Sequence, residues 1–105
     1  MKYGFVKVAA AVPATKVADV TYNVQEIESL IAQAEGRGVE MMVLPELCLT
    51  GYTCQDLFKQ QALLDRAEQG VMVLLDFTRK LDIITVVGLP VVINGLLYNC
   101  AAVIQ

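Results

Sequence analysis

Histidine and tryptophan are both absent from the 105 residues of this chain. The absence of histidine excludes Ser-His and Cys-His catalytic pairs, and it excludes any metal site with a histidine ligand built wholly from these residues. Catalytic chemistry in this chain must therefore use carboxylates, lysine or cysteine. No metal site is expected.

Positive charge is scarce as well. Eight Lys and Arg residues are dispersed among eleven Asp and Glu residues, and the formal net charge is −3. No basic stripe is available to neutralise a phosphate backbone, so nucleic acid is excluded as an expected partner. A basic helical face is missing too, and no apolar run approaches the ~20 residues that span a bilayer, so no membrane partner is expected.

Cysteine is limited to Cys48, Cys54 and Cys100, an odd number without C-x-x-C spacing. This pattern favours reduced thiols in a cytoplasmic protein over a disulfide framework. The apolar N-terminus resembles a signal peptide, but Lys7 interrupts its apolar run, and residues 3–12 are equally typical of a buried strand.

The order of apolar patterns predicts strand, helix, strand, helix, strand and a final hairpin. The predicted strands are Phe5–Val12, Met41–Leu44 and Ile83–Val87, and Val91–Ile93 and Leu96–Tyr98 flank the turn dipeptide Asn94-Gly95. Apolar residues at helical spacing predict one helix from a capping box at Asn23 and Glu26 to Gly36, and a second from Leu64 to about Lys80. A short helical turn is expected at Gln55–Phe58. This order indicates an α/β fold with a largely parallel sheet and an added hairpin.

Glu46 is the candidate catalytic residue because it follows a short apolar strand and Pro45. Functional groups of parallel sheets gather at the carboxyl ends of the strands. We expect Leu44, Leu47 and Leu49 to give the carboxylate low-dielectric surroundings, which favour the neutral acid and suit a general base or acid. The alternative is a carboxylate that caps a turn or pairs with an arginine.

Several motifs in the correct order resemble the nitrilase, or carbon-nitrogen hydrolase, superfamily. They are K-V-A-A-A-V-P, E-G-R-G-V-E, L-P-E-L-C-L-T-G-Y from Leu44 to Tyr52, V-V-G-L-P, and L-Y-N-C-A-A-V-I. Within the superfamily, T-C-Q-D-L-F from Thr53 to Phe58 is similar to the glutaminase domains of bacterial glutamine-dependent NAD synthetases. The resemblance implies part of an α-β-β-α four-layer sandwich.

The resemblance also implies a Glu-Lys-Cys triad in which Glu46 activates a cysteine to hydrolyse the amide of glutamine. The family's lysine and cysteine motifs are expected after Gln105. A C-terminal synthetase domain with ATP and Mg would then use the ammonia to amidate nicotinic acid adenine dinucleotide. Assembly into a homo-oligomer is expected as well. A stand-alone amidase of the same family, and a non-catalytic interaction domain of the same fold, are the alternatives.

Residues 1–105 are thus expected to be the N-terminal portion of a carbon-nitrogen hydrolase domain and to be inactive alone. A final apolar strand without a covering element and a hydrophobic content of 56% favour this interpretation. Cys48, Cys54 and Cys100 are interpreted as structural, with burial in an apolar strand quenching Cys100. Tyr52 is assigned to the substrate pocket, with packing at the base of the loop as the alternative.

Overall fold

Two helices form where apolar residues recur at helical spacing. In the computed structural model, which describes residues 4–51 and 60–105, α1 spans Val20–Gly36 and α2 spans Gln61–Phe77. The predicted capping box at Asn23 is wrong. The side chain of Asp19 accepts a hydrogen bond from the backbone N–H of Tyr22 at 3.1 Å, so α1 begins earlier and Asn23 lies buried inside it.

Four strands form a single sheet within the described residues. The strands are β1 (Val8–Ala10), β2 (Met41–Val43), β3 (Ile84–Ile93) and β4 (Leu96–Ile104), and they lie in this order. The pairs β1–β2 and β2–β3 are parallel, whereas β3–β4 is antiparallel. The prediction of a parallel sheet with an added hairpin is confirmed.

Three strand lengths differ from the prediction, and β2 differs least, since it ends at Val43 and not at Leu44. β1 is shorter than the predicted strand Phe5–Val12 because it pairs only with β2, which offers three residues. β3 is longer than predicted, since it runs through Gly88 and Pro90 without a break. The N–H and C=O groups of Gly88 point away from β4, and alternation along the strand gives Pro90 the same orientation. Its missing N–H therefore removes no bond between β3 and β4.

Both helices cover the same face of the sheet. A strand order that runs in one direction, with right-handed crossovers, places the two connecting helices on one side. Ile27, Leu74, Met42, Val87 and Ile104 meet in the core between helices and sheet, each at most 1% exposed. The opposite face exposes other apolar side chains, among them Val8, Val43 and Val103. The described residues thus form one helix layer on one sheet layer, which is half of the predicted sandwich.

The two-residue turn between β3 and β4 has the predicted geometry. Asn94 has a φ of 52° and Gly95 a φ of 78°. Ile93 pairs with Leu96 directly across the turn. Positive φ at both central positions is the signature of a type I′ turn, so the prediction from the Asn-Gly dipeptide is confirmed.

The lengths of the helices also bear on membranes. α1 and α2 each contain 17 residues and carry polar side chains on one face. Within residues 4–51 and 60–105, neither helix is long and apolar enough to cross a bilayer.

Candidate functional site

Glu46 lies in the turn that follows β2, a strand with a neighbour on each side. The hydrogen bonds between β2 and β3 extend one residue beyond β2, because the N–H of Leu44 donates to the C=O of Val86 at 3.0 Å. The chain then turns over residues 46–50. The predicted position of Glu46 at the carboxyl end of a central strand is confirmed, and such positions gather functional groups in parallel sheets.

The residue after Glu46 adopts a left-handed backbone conformation. Leu47 has a φ of 55°, which costs about 1–2 kcal/mol for a residue with a side chain. Hydrogen bonds hold the turn in this shape: Gly51 N–H donates to Leu47 C=O at 2.8 Å, and Leu49 N–H donates to Gly88 C=O at 3.2 Å. Strained backbone persists where the surroundings determine it in this way, and it is common at functional sites.

Gly88 in β3 contacts the backbone of this turn. A Cβ atom at Gly88 would overlap Leu47 N and would lie 2.7 Å from the Cα of Glu46. The N–H of Gly88 also donates to the Sγ of Cys48 at 3.3 Å. The backbone of the Glu46 turn can therefore approach the sheet this closely only because position 88 has no side chain.

Asn23 of α1 forms a hydrogen bond to the C-terminal part of the same turn. Its Nδ2 donates to the C=O of Leu49 and to the C=O of Lys16, each at 2.9 Å, and its Oδ1 accepts from Lys16 N–H at 2.8 Å. Asn23 is fully buried. One amide side chain thus satisfies three backbone groups and joins two loops that are distant in the sequence.

Asn99 in β4 contacts the carboxylate itself. Its Nδ2 donates to Glu46 Oε2 at 2.6 Å, although the two residues are 53 positions apart. Because side chains alternate along a strand, Asn99 lies on the open face of the sheet, opposite the helices. The sheet therefore brings an amide donor to the candidate base.

A shallow depression of about 270 Å³ adjoins this pair on the open face. Its walls include small residues, and its lining consists of Val43, Leu44, Glu46, Val86, Val87, Gly88, Asn99, Cys100 and Ala101. A carboxylate at its edge can accept a proton from a group placed in this space. The prediction of low-dielectric surroundings is wrong for this structure, because Glu46 is exposed while Leu44 and Leu49 point into the core.

The cysteines of the described residues occupy structural positions. Cys48 is 3% exposed, and burial raises the pKa of its thiol, which leaves little thiolate at neutral pH. Cys100 is half-buried rather than fully buried, and it alternates with Asn99, so its side chain faces the helices and not Glu46. Cys54 lies outside the described residues.

Tyr52 and the predicted helical turn at Gln55–Phe58 also lie outside the described residues, so their assignments stay predictions. Among residues 4–51 and 60–105, no group of three or more Asp, Glu, Cys or His side chains is arranged to hold a metal ion.

Sequence reasoning missed the residues that hold Glu46 in place. Gly88 and Asn99 lie within the motifs V-V-G-L-P and L-Y-N-C-A-A-V-I but received no role, and Asn23 was assigned to a cap. Two signals were available. A glycine inside an apolar strand marks a close approach of backbone, and an asparagine inside an apolar strand needs a polar partner.

Known proteins resemble this chain in sequence and in structure. The glutamine-dependent NAD(+) synthetase of Mycobacterium leprae is 34% identical over 97% of the chain, which spans 15% of that protein. The crystal structure of the glutamine-dependent NAD(+) synthetase from Cytophaga hutchinsonii superposes with a TM-score of 0.89 at 32% identity, over 95% of this chain and 17% of that one. The enzyme from Acinetobacter baumannii in complex with ADP superposes with a TM-score of 0.79 at 25% identity, over 91% of this chain and 18% of that one.

The family is shown by a match over nearly the whole chain. Residues 7–105 match the sequence model of the carbon-nitrogen hydrolase family. The match includes the strand that leads to Glu46, Gly88 beneath the turn and Asn99 beside the carboxylate. The chain belongs to the carbon-nitrogen hydrolase family.

Proposed function

We propose that this chain is the N-terminal portion of a glutamine amidotransferase domain in which Glu46 is the general base. The observation that carries the proposal is the Glu46 carboxylate, fixed by Asn99 at the end of a central strand and beside a depression on the sheet. Membership of the carbon-nitrogen hydrolase family supports chemistry at an amide bond. Similarity to glutamine-dependent NAD(+) synthetases supports glutamine as the amide.

In the proposed reaction, Glu46 takes the proton from a cysteine thiol, since the thiolate is the stronger nucleophile. The sulfur attacks the side-chain amide carbon of glutamine, and the proton passes to the leaving nitrogen, which departs as ammonia. Water then hydrolyses the glutamyl thioester, which releases glutamate and restores the thiol. A lysine stabilises the oxyanion during both steps.

The nucleophile and the lysine of this proposal belong to a part of the domain beyond Gln105. Cys48 does not fit the nucleophile because it is buried beneath the turn, and Cys100 does not fit because its side chain faces away from Glu46. Cys54 lies outside the described residues. Because the resemblance puts the family's cysteine motif after Gln105, residues 1–105 alone are expected to release no ammonia from glutamine.

The complete enzyme of the proposal joins this domain to a C-terminal synthetase domain. That domain would use ATP, Mg and the released ammonia to amidate nicotinic acid adenine dinucleotide to NAD. The names of the relatives and the complex of one of them with ADP support this assignment. The free thiols of Cys48 and Cys100 agree with a cytoplasmic enzyme. In the proposed four-layer sandwich a second sheet of the same domain covers the exposed apolar face, so assembly into a homo-oligomer stays a prediction.

Replacement of Glu46 by glutamine in the complete enzyme tests the proposed base. The Glu46→Gln change keeps the size of the side chain but removes the base, and general base catalysis typically contributes about 10²–10⁴-fold in rate. Glutamine-driven NAD formation should fall by this factor, whereas NAD formation from free ammonium should persist. The measurement is the rate of NAD formation with each nitrogen donor.

The matched control is Glu68→Gln, which makes the same chemical change at an exposed position on α2. It should leave both rates unchanged. If Glu46→Gln reduced both rates equally, the defect would lie in folding or in coupling between domains, and Glu46 would not be the base.

A further inference from the structure

The side-chain amide of Asn99 is suited to hold the Glu46 carboxylate in one orientation. Asn99 Nδ2 donates to Glu46 Oε2 at 2.6 Å, a short distance that is typical of hydrogen bonds to charged groups. An amide donor has no titration near neutral pH, so it holds a carboxylate without competing for the proton that the carboxylate must accept. A histidine in the same place would change its own charge near neutral pH.

Asn99 is itself held by the sheet. It pairs with Pro90 across β3 and β4, and each flanking position of β4 is also paired. A side chain on a paired strand loses less conformational freedom when it forms a contact than one on a loop, because its backbone is already fixed. The backbone of Glu46 is also constrained, because it packs directly against β3 at Gly88, where no side chain intervenes.

From this geometry we propose that Asn99 is a positioning residue for Glu46: it orients the carboxylate toward the depression on the open face of the sheet. The inference rests on the proposed role of Glu46 as base. In this role Asn99 contacts the base, Glu46, and does not contact the substrate. Loss of the contact therefore lowers kcat for glutamine hydrolysis and leaves the KM for glutamine unchanged.

Three substitutions at Asn99 in the complete enzyme test this role. Asn99→Ala removes the donor, and because a misplacement of about 1 Å at a reacting group costs up to about 10²-fold, kcat should fall by roughly this factor. Asn99→Gln keeps an amide donor on a longer side chain and should recover part of the loss. Both variants should keep the ammonium-driven rate, which reports on the synthetase domain, and unchanged hydrogen exchange of the Leu49 amide should show that the turn beside Glu46 is still folded. A glutamine variant as impaired as the alanine variant would contradict positioning by the amide.

Asn99→Asp gives a signature that a purely structural role does not produce. It places a second carboxylate beside Glu46, and two adjacent carboxylates resist being ionised together. Among the residues that line the depression, Glu46 and Cys100 are titratable, and the side chain of Cys100 faces the helices and not Glu46. The acidic limb of the profile of glutamine-driven kcat/KM against pH should therefore move to higher pH. A structural defect would lower the profile at every pH without moving this limb.

The matched control is Asn94→Asp, which makes the same change at the exposed turn of the same hairpin, where Asp tolerates positive φ. It should leave the profile unchanged. If Asn99→Asp and Asn94→Asp gave the same profile, the positioning role would be wrong. Loss of activity in Glu46→Gln but a normal profile in Asn99→Asp would overturn this inference alone, whereas full glutaminase activity in Glu46→Gln would overturn the proposed base.

Discussion

Two turns of this molecule are held in opposite ways. The turn over residues 46–50 is fixed by residues far away in the sequence, because Gly88 lies beneath it, Asn23 bonds to its C-terminal part and Asn99 bonds to its carboxylate. The turn at Asn94-Gly95 needs none of this, since a Cβ atom at Gly95 would have no heavy atom within 4 Å. The first turn is specified by tertiary fit, and the second is specified by the conformational preferences of its own two residues.

This difference has a consequence for the candidate site. The strained φ of Leu47 and the position of Glu46 depend on contacts with β3, β4 and α1. A change in any of these elements therefore moves the candidate base, even when the changed residue touches no substrate. A change at the tip of the hairpin does not reach it.

The largest effect is expected from Gly88→Ala. The added Cβ would overlap the backbone of Leu47, and the backbone cannot yield as the end of a flexible side chain does. Overpacking typically costs about 1–3 kcal/mol, and contact with backbone should place this variant near about 3 kcal/mol. Hydrogen–deuterium exchange of the Leu49 amide, which bonds to Gly88 C=O, should show this loss as a lower free energy of local opening.

The same variant should also impair glutamine-driven NAD formation by the complete enzyme, because the Cα of Glu46 must move. Unchanged exchange at Leu49 would show that the turn and β3 are not in contact.

A smaller effect is expected from Asn23→Ala. The change leaves the C=O of Leu49 and the N–H of Lys16 without their partner, whereas the C=O of Lys16 keeps the N–H of Asp19 at 3.2 Å. A buried polar group without a hydrogen bond costs about 1–3 kcal/mol. Lys16 is exposed, so its N–H can bond to solvent instead, and about 2 kcal/mol is expected for opening of residues 46–50, measured again by exchange at Leu49.

The control for Asn23 is Gln25→Ala, an exposed position on the same helix that should change opening by less than about 0.5 kcal/mol. Equal effects of the two variants would mean that Asn23 acts through helix propensity and not through its bonds to the loops.

The elements that local rules govern could be predicted from the sequence. The Asn-Gly dipeptide predicts the hairpin turn, helical spacing of apolar residues predicts α1 and α2, and a short apolar run predicts that Glu46 follows a strand. The bounds were less accurate. β1 is limited to three residues by the length of its partner β2, and nothing in residues 5–12 contains that information.

The contacts that complete the site could not be predicted in the same way. The two-residue turn fixes which residue of β4 faces Pro90, but the distance from Asn99 to Glu46 depends also on the register between β2 and β3, which no local pattern encodes. Gly88 and Pro90 also led to the wrong prediction that β3 is two separate strands. Both residues usually interrupt a strand, and here each is accommodated on the side of β3 that faces away from β4.

The smallest effect is expected from Gly95→Ala, the same substitution as at Gly88 but in the turn without tertiary contacts. Nothing lies near the added Cβ, so only the φ of 78° opposes it. The left-handed conformation costs about 1 kcal/mol for alanine, and exchange of the amides of residues 92–97 should show this loss. Exchange at Leu49 and glutamine-driven NAD formation should stay unchanged. A loss at Leu49 as large as that in Gly88→Ala would show that the hairpin tip and the Glu46 turn are coupled, and the contrast between the two turns would not hold.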